Sequence, residues 1–209
     1  VSRFLLMFVL AIGALFSRMP ESRAAAVGLP ELLDAQVEYT AEFYLVSDKG
    51  RFQGSVIHAP GRERRDFDTT GGRQALLLRR DIDQAAMMWP ERKWYVATSF
   101  LSVAGMIGGF DGVSVERKAD GTERISGEMT TRYQVSGDSS GGGSFQGRMW
   151  VTKDGILMKL VGKVAFNGRQ IPVETALSNV LRVKADNAAF VLPADYKGLP
   201  LDFAKLGLH

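Results

Sequence analysis

The sequence predicts a mainly β protein: a single curved antiparallel sheet, shaped as a half-open barrel, with one or two short helices as a lid. Three observations lead there. Apolar and polar residues alternate at period two over long stretches, glycine-bearing turn dipeptides separate the alternating runs, and helical periodicity is scarce.

The alternating runs come in chain order. Val37, Tyr39, Ala41, Phe43 and Leu45 share one face, with Glu38, Thr40 and Glu42 opposite. Ile125, Gly127, Met129, Thr131, Tyr133 and Val135 form a second row, and Ile156, Met158, Leu160, Gly162, Val164 and Phe166 a third. Ile171, Val173, Leu177, Leu181 and Val183 make a fourth. Residues on one face of a strand recur every second position, so these rows are half-buried strands. Asp48-Lys49-Gly50, Asp120-Gly121, Asp154-Gly155 and Asn167-Gly168 supply the positive φ angles that hairpin turns require. Pro60-Gly61, Gly71-Gly72 and Pro90-Glu91 add further reversals, for about nine to eleven strands in a meander. Asp138 to Ser144 reads as a flexible loop.

Two segments are candidate helices: Pro30 to Gln36, and the apolar, glycine-rich Thr98 to Gly109. The C-terminal stretch from Asp195 is expected to lie along the sheet. Two short helices cannot fill the concave side of about ten strands, so a hollow is expected, suited to an apolar ligand. Trp89, Phe100, Leu101, Met106, Ile107, Phe110, Met129 and Met158 are the expected lining and lid residues, the flexible thioethers suiting a variable apolar partner. The competing arrangement is a sandwich with a packed core.

Three stretches resemble a known family. Glu123 to Val135 resembles the central strand of the LolA/LolB superfamily of periplasmic lipoprotein carriers and their uncharacterised relatives. Trp150 to Lys159 is similar to their Trp-x-x-x-(Asp/Glu)-Gly hairpin, and Phe190 to Tyr196 to their Phe-x-x-Pro-x-x-Tyr close. The resemblance spans most of residues 37–200. It implies a half-barrel with a lid over a cavity that takes lipoprotein acyl chains. With no cysteine in the chain, LolB's lipid anchor has no counterpart.

The N-terminus carries an export pattern. Arg3 precedes the uncharged run Phe4 to Phe16, and Ala24-Ala25-Ala26 offers a small-residue cleavage site. The run is shorter than the roughly 18–20 residues that span a bilayer as a helix. Residues 1–26 therefore read as a signal peptide and 27–209 as one domain destined for the periplasm; an uncleaved anchor is the alternative. Without cysteine there are no disulfides or thiolate metal sites. The whole chain has net charge +3, but removing Arg3, Arg18, Arg23 and Glu21 leaves the remainder near neutral, which gives no support for a nucleic-acid partner.

No arrangement of catalytic residues stands out, and neither cofactor nor metal is expected. His58, the one histidine away from the final residue, falls in the row of Phe52, Gly54 and Val56 and reads as a hydrogen-bonded core or rim residue. Asp66/Asp68, Asp81/Asp83 and Glu38/Glu42 are same-strand pairs on polar faces, not carboxylates facing across a substrate. Gly141-Gly142-Gly143 lacks the ending of a phosphate loop. Arg62, Arg64, Arg65, Arg79, Arg80, Arg92 and Lys93 are interleaved with acids and read as solvated surface, with contact to anionic lipid headgroups or an acidic partner as the alternative. Trp89 and Trp94 flank the Pro90-Glu91 turn and are expected at a barrel rim. The functional expectation is a periplasmic carrier for an apolar small molecule, a lipid or an acylated protein. The alternative is a non-enzymatic interaction module or accessory subunit of an envelope complex.

Overall fold

A computed structural model describes residues 27–28, 34–47, 50–100, 114–138, 143–166 and 168–200. The strands are β1 (Val27–Gly28), β2 (Tyr39–Ser47), β3 (Gly50–Ala59), β4 (Arg62–Thr69), β5 (Gly72–Arg79), β6 (Gln84–Trp89) and β7 (Trp94–Thr98). After them come β8 (Ser114–Ile125), β9 (Glu128–Asp138), β10 (Ser144–Thr152), β11 (Leu157–Phe166), β12 (Arg169–Leu181) and β13 (Lys197–Gly198). All join one sheet in the order β1-β8-β9-β10-β11-β12-β2-β3-β4-β5-β6-β7-β13. Every pairing is antiparallel except β13 on β7. The sheet does not close, since β1 and β13 stand at opposite edges. The curved single sheet expected from the alternation is thus the architecture found, and its eleven longer strands agree with the turn signals.

Glycines let the sheet bend. A Cβ on Gly54 would lie 1.9 Å from the Asp66 carbonyl oxygen, and one on Gly147 would lie 2.3 Å from that of Val161. Both sit on the face that also bears Phe43, Leu45 and Val173, so this inner face is the tight side of the curve. It holds the largest apolar cluster, running from Tyr39, Phe43 and Leu45 through Val56 and Leu76 to Met87, Met158 and Leu177. A second cluster, with Val115, Val135, Met149 and Leu160, continues on the strands toward β8. The outer face of β3–β7 is covered as well. There Phe190, held in a 3-10 turn at Asn187–Phe190, packs on Ala59, Leu77 and Met88. The turn is capped by Asp186 accepting from the Ala188 N–H.

Three expectations need correction. Asp120-Gly121 is not a reversal: Gly121, at φ 139°, marks a bulge within β8. The reversal falls at Ser126-Gly127, whose φ values of 48° and 88° suit a two-residue primed turn. Ile125 therefore pairs with Glu128 and stands on the opposite face from Met129, which pairs with Arg124. The fourth row also breaks, at a bulge where Asn179 adopts φ 52°. Beyond it Leu181 and Val183 are exposed, and Val180 packs against the core instead. Finally, Arg65 and Arg80 are not solvated; their side chains are only 8% exposed. Of the two helix candidates, residues 30–33 and 101–113 lie outside the described residues, as does the export segment 1–26; Asp34 to Gln36 form no helix.

Candidate functional site

The two ends of the inner face differ in chemistry. At the lower end β2 begins and β3 finishes, and here His58 is fully buried, its ring stacked 4.9 Å from that of Tyr39. One ring nitrogen, Nε2, lies 2.9 Å from the Ala35 carbonyl, and Nδ1 lies 3.2 Å from Glu63 Oε2. Both neighbours are oxygen acceptors, so the ring donates through both nitrogens when it bears both protons. Arg65 Nε donates to the other Glu63 oxygen at 2.7 Å, and its guanidinium lies 5.0 Å from the Phe43 ring centre. Asp34 accepts from the Gly61 N–H and stands 3.5 Å from Arg80 Nη1.

This cluster follows from strand parity. Glu63, Arg65 and Phe67 share one row of β4, and Glu63 stands directly opposite His58. Burial pushes the Glu63 pKa up, but the Arg65 guanidinium, the His58 hydrogen bond and Arg80 outweigh it, holding the carboxyl far below the usual carboxylate range. Burial, reinforced by the Glu63 charge, pushes the Tyr39 phenol up. Among these side chains lies a cavity of about 20 Å³, bordered by Ala35, Tyr39, Glu63 and Leu177. That is room for about one water. This end is sealed.

At the upper end the inner face is apolar and incompletely covered. Phe52, Val164, Ile171 and Trp89 pack against the main cluster but remain half-buried, and Phe145 does the same on the second cluster. Val164 stands opposite both Phe145 and Ile171 across the sheet, so these three form one continuous strip. Phe52 meets Phe67 edge to face at 6.4 Å. Gln74, in the same inner layer, donates through Nε2 to Thr69 Oγ1, while its buried Oε1 has no partner among the described residues.

The sequence-predicted residues are divided by this geometry. Trp89 is half-buried at the upper end, and across from it Trp94 is 38% exposed at the rim. Phe100 is buried at the lower end, its N–H donating to the Asp83 carbonyl and its ring beneath Arg80. Met158 is fully buried in the same cluster. Met129 does not join them and is 53% exposed. It lies on the β8–β9 hairpin beyond Thr130, the last residue paired to β10, so no neighbouring strand flanks it on that side. Leu101, Met106, Ile107 and Phe110 lie outside the described residues. Phe52, Phe145, Val164 and Ile171 were not among the expected lining residues. Their signal was available, since each sits on an apolar row next to a turn.

Neither the family models nor the curated proteins contain a match to this chain. Solved structures do. An uncharacterized conserved protein from Thermus thermophilus aligns with a TM-score of 0.53 at 12% identity, covering 78% of this chain and 90% of that one. MucB aligns with a TM-score of 0.51 at 11% identity over 78% of this chain and 60% of MucB. A domain from Vibrio parahaemolyticus described as outer membrane lipoprotein-sorting aligns at 0.38, with 10% identity, covering 74% of this chain and 89% of that one. The likeness is one of fold.

Among the described residues no group of three or more His, Asp or Glu side chains is placed to hold a metal ion. The carboxylate pairs are spoken for singly: Asp66 binds Arg64, Asp81 binds Arg79, and Glu38 accepts from the Ala185 N–H. No described helix is long and apolar enough to cross a membrane.

Proposed function

We propose that this chain is an exported, non-catalytic binding protein of the periplasm that holds an apolar ligand at the upper end of its inner face. In this reading residues 1–26 are a cleaved signal peptide and 27–209 form the single half-barrel domain. The ligand is a lipid, an acylated protein or another apolar molecule. The observation behind it is the continuous, half-buried strip of Phe145, Val164 and Ile171 with Phe52 and Trp89, an incompletely covered apolar wall on the tight side of a curved sheet. The sealed lower end limits how deep a ligand reaches, so its apolar part lies along β3, β11 and β12 and not beside His58.

Met129 has no part in binding on this reading. Phe100 and Met158 support the wall from below. Leu101, Met106, Ile107 and Phe110 supply the cover as a lid segment. The tightly packed lower end favours a second reading, an accessory subunit of an envelope complex that binds protein and takes no ligand.

The test is uptake of a fluorescent fatty acid by the mature chain exported to the periplasm, with lipid extraction of the purified protein. Uptake is expected, and Val164→Asp or Ile171→Asp is expected to abolish it while Met129→Ala leaves it intact. A protein that takes up none, and yields no lipid on extraction, overturns the carrier reading in favour of the accessory one.

A further inference from the structure

The outer face of β8–β12 holds a second concavity, a broad trough of about 1300 Å³. Unlike the outer face of β3–β7, it is not covered by the Phe190 segment. Its chemistry is cationic. Lys118 stands opposite Gln134, and Gln134 opposite Arg148. Lys163, opposite Gln146, follows one row along. Strand spacing places Lys118 and Arg148 about 10 Å apart at the backbone. All three cations are exposed, and none forms an ion pair among the described residues. Glu116 is the one acid lining the trough.

Elsewhere on this face the cations are matched. Lys159 pairs with Glu174, Arg132 with Asp120, and Arg182 with both Asp154 and Glu128. The charge excess is therefore local to the trough.

We propose that this trough is a docking site for an acidic peptide segment in extended conformation. Charge complementarity selects the sign. Along β10 the trough runs from Ser144 to Trp150, about 20 Å, which an extended segment of about six residues spans. The side-chain amide of Gln146 offers a donor and an acceptor suited to a peptide backbone and its carboxylates, while Gln134 donates to Asp120 at 3.2 Å and keeps its carbonyl oxygen as an acceptor. A membrane surface is too flat to enter such a trough, which argues against lipid headgroups.

The experiment measures fluorescence anisotropy of a labelled peptide of alternating Glu and Ser with the protein purified from the periplasm, at low salt. Its Lys-Ser counterpart and phosphatidylglycerol vesicles are titrated alongside. Binding of the Glu-Ser peptide alone is expected, weakened roughly tenfold or more by the combined Lys118→Gln, Arg148→Gln and Lys163→Gln changes and by raised salt. Lys163→Gln alone, a single exposed change, is expected to weaken it by about threefold. Lys153→Gln with Lys184→Gln, outside the trough, is expected to leave binding unchanged. Absence of peptide binding, equal binding by the triple variant, or binding of vesicles in place of peptide overturns the proposal. Fatty-acid uptake at the upper end is read on the same samples, so failure of this site is distinct from failure of the carrier reading.

Discussion

The lower end of the inner face buries His58, Glu63 and Arg65 almost completely, whereas the upper end leaves Phe52, Val164, Ile171 and Trp89 half in solvent. This is the reverse of the simple expectation that charges face water and apolar groups hide. The inversion is possible because the Glu63 carboxylate is matched by Arg65 and the polar His58 ring has oxygen partners on both sides. Directional contacts also tie Ala35 to His58 of β3 and Asp34 to Gly61 in the turn that follows it. Among the described residues no such cluster of charged groups stands at the upper end. One end is specified by geometry, while the other is left adaptable.

Breaking the ion cluster is the largest expected effect. Glu63→Ala leaves Arg65 and His58 without their shared carboxylate and is expected to lower unfolding free energy by about 3–5 kcal/mol, read by chemical denaturation. Next comes the bend. Gly54→Ala forces a Cβ into the Asp66 carbonyl and is expected to cost about 1–3 kcal/mol or more, while the equally small change Ala176→Gly is milder. A pH titration sharpens the contrast further. The folded-state pKa of Glu63 is depressed, so its stabilising contribution is complete above the unfolded carboxylate value of 4.5 and is lost as pH falls below it. Denaturation midpoints should therefore fall on acidification, and Glu63→Gln should flatten that fall; an unchanged slope would mean other carboxylates dominate. At the upper end, Ile171→Asp is expected to cost less stability than Glu63→Ala while removing ligand uptake. The smallest effect belongs to Met129→Ala, within about 0.5 kcal/mol, because the side chain is exposed.

Much of the sheet was legible because strand parity and turn chemistry are local. The row Tyr39 to Leu45 is buried as its alternation implied, the Asp154-Gly155 reversal falls between strands, and Gly168, at φ 72°, stands just before β12. What escaped were bulges. Asn179 and Gly121 each shift a strand by a residue, and a one-residue slip turns every later side chain to the other face. That is why Leu181 was expected inside and is exposed. The pairing of β12 with β2, which sets the first long strand beside the last, is long-range and left no mark in any short stretch. Arg65 departs from its expected solvated place for a related reason. Its acidic neighbours suggested solvation, but its alignment with Phe67 and its place across the sheet from Val56 put it inside. The lining residues at the upper end were visible as apolar positions, yet only the curvature shows which of them remain open.

The most direct measurement uses a fatty acid bearing a nitroxide on its chain, added to isotopically labelled protein and read by nuclear magnetic resonance. Signal broadening is expected at Phe52, Val164 and Ile171, with Tyr39 and His58 unaffected. Broadening centred on His58, or none at any inner-face residue, would contradict it.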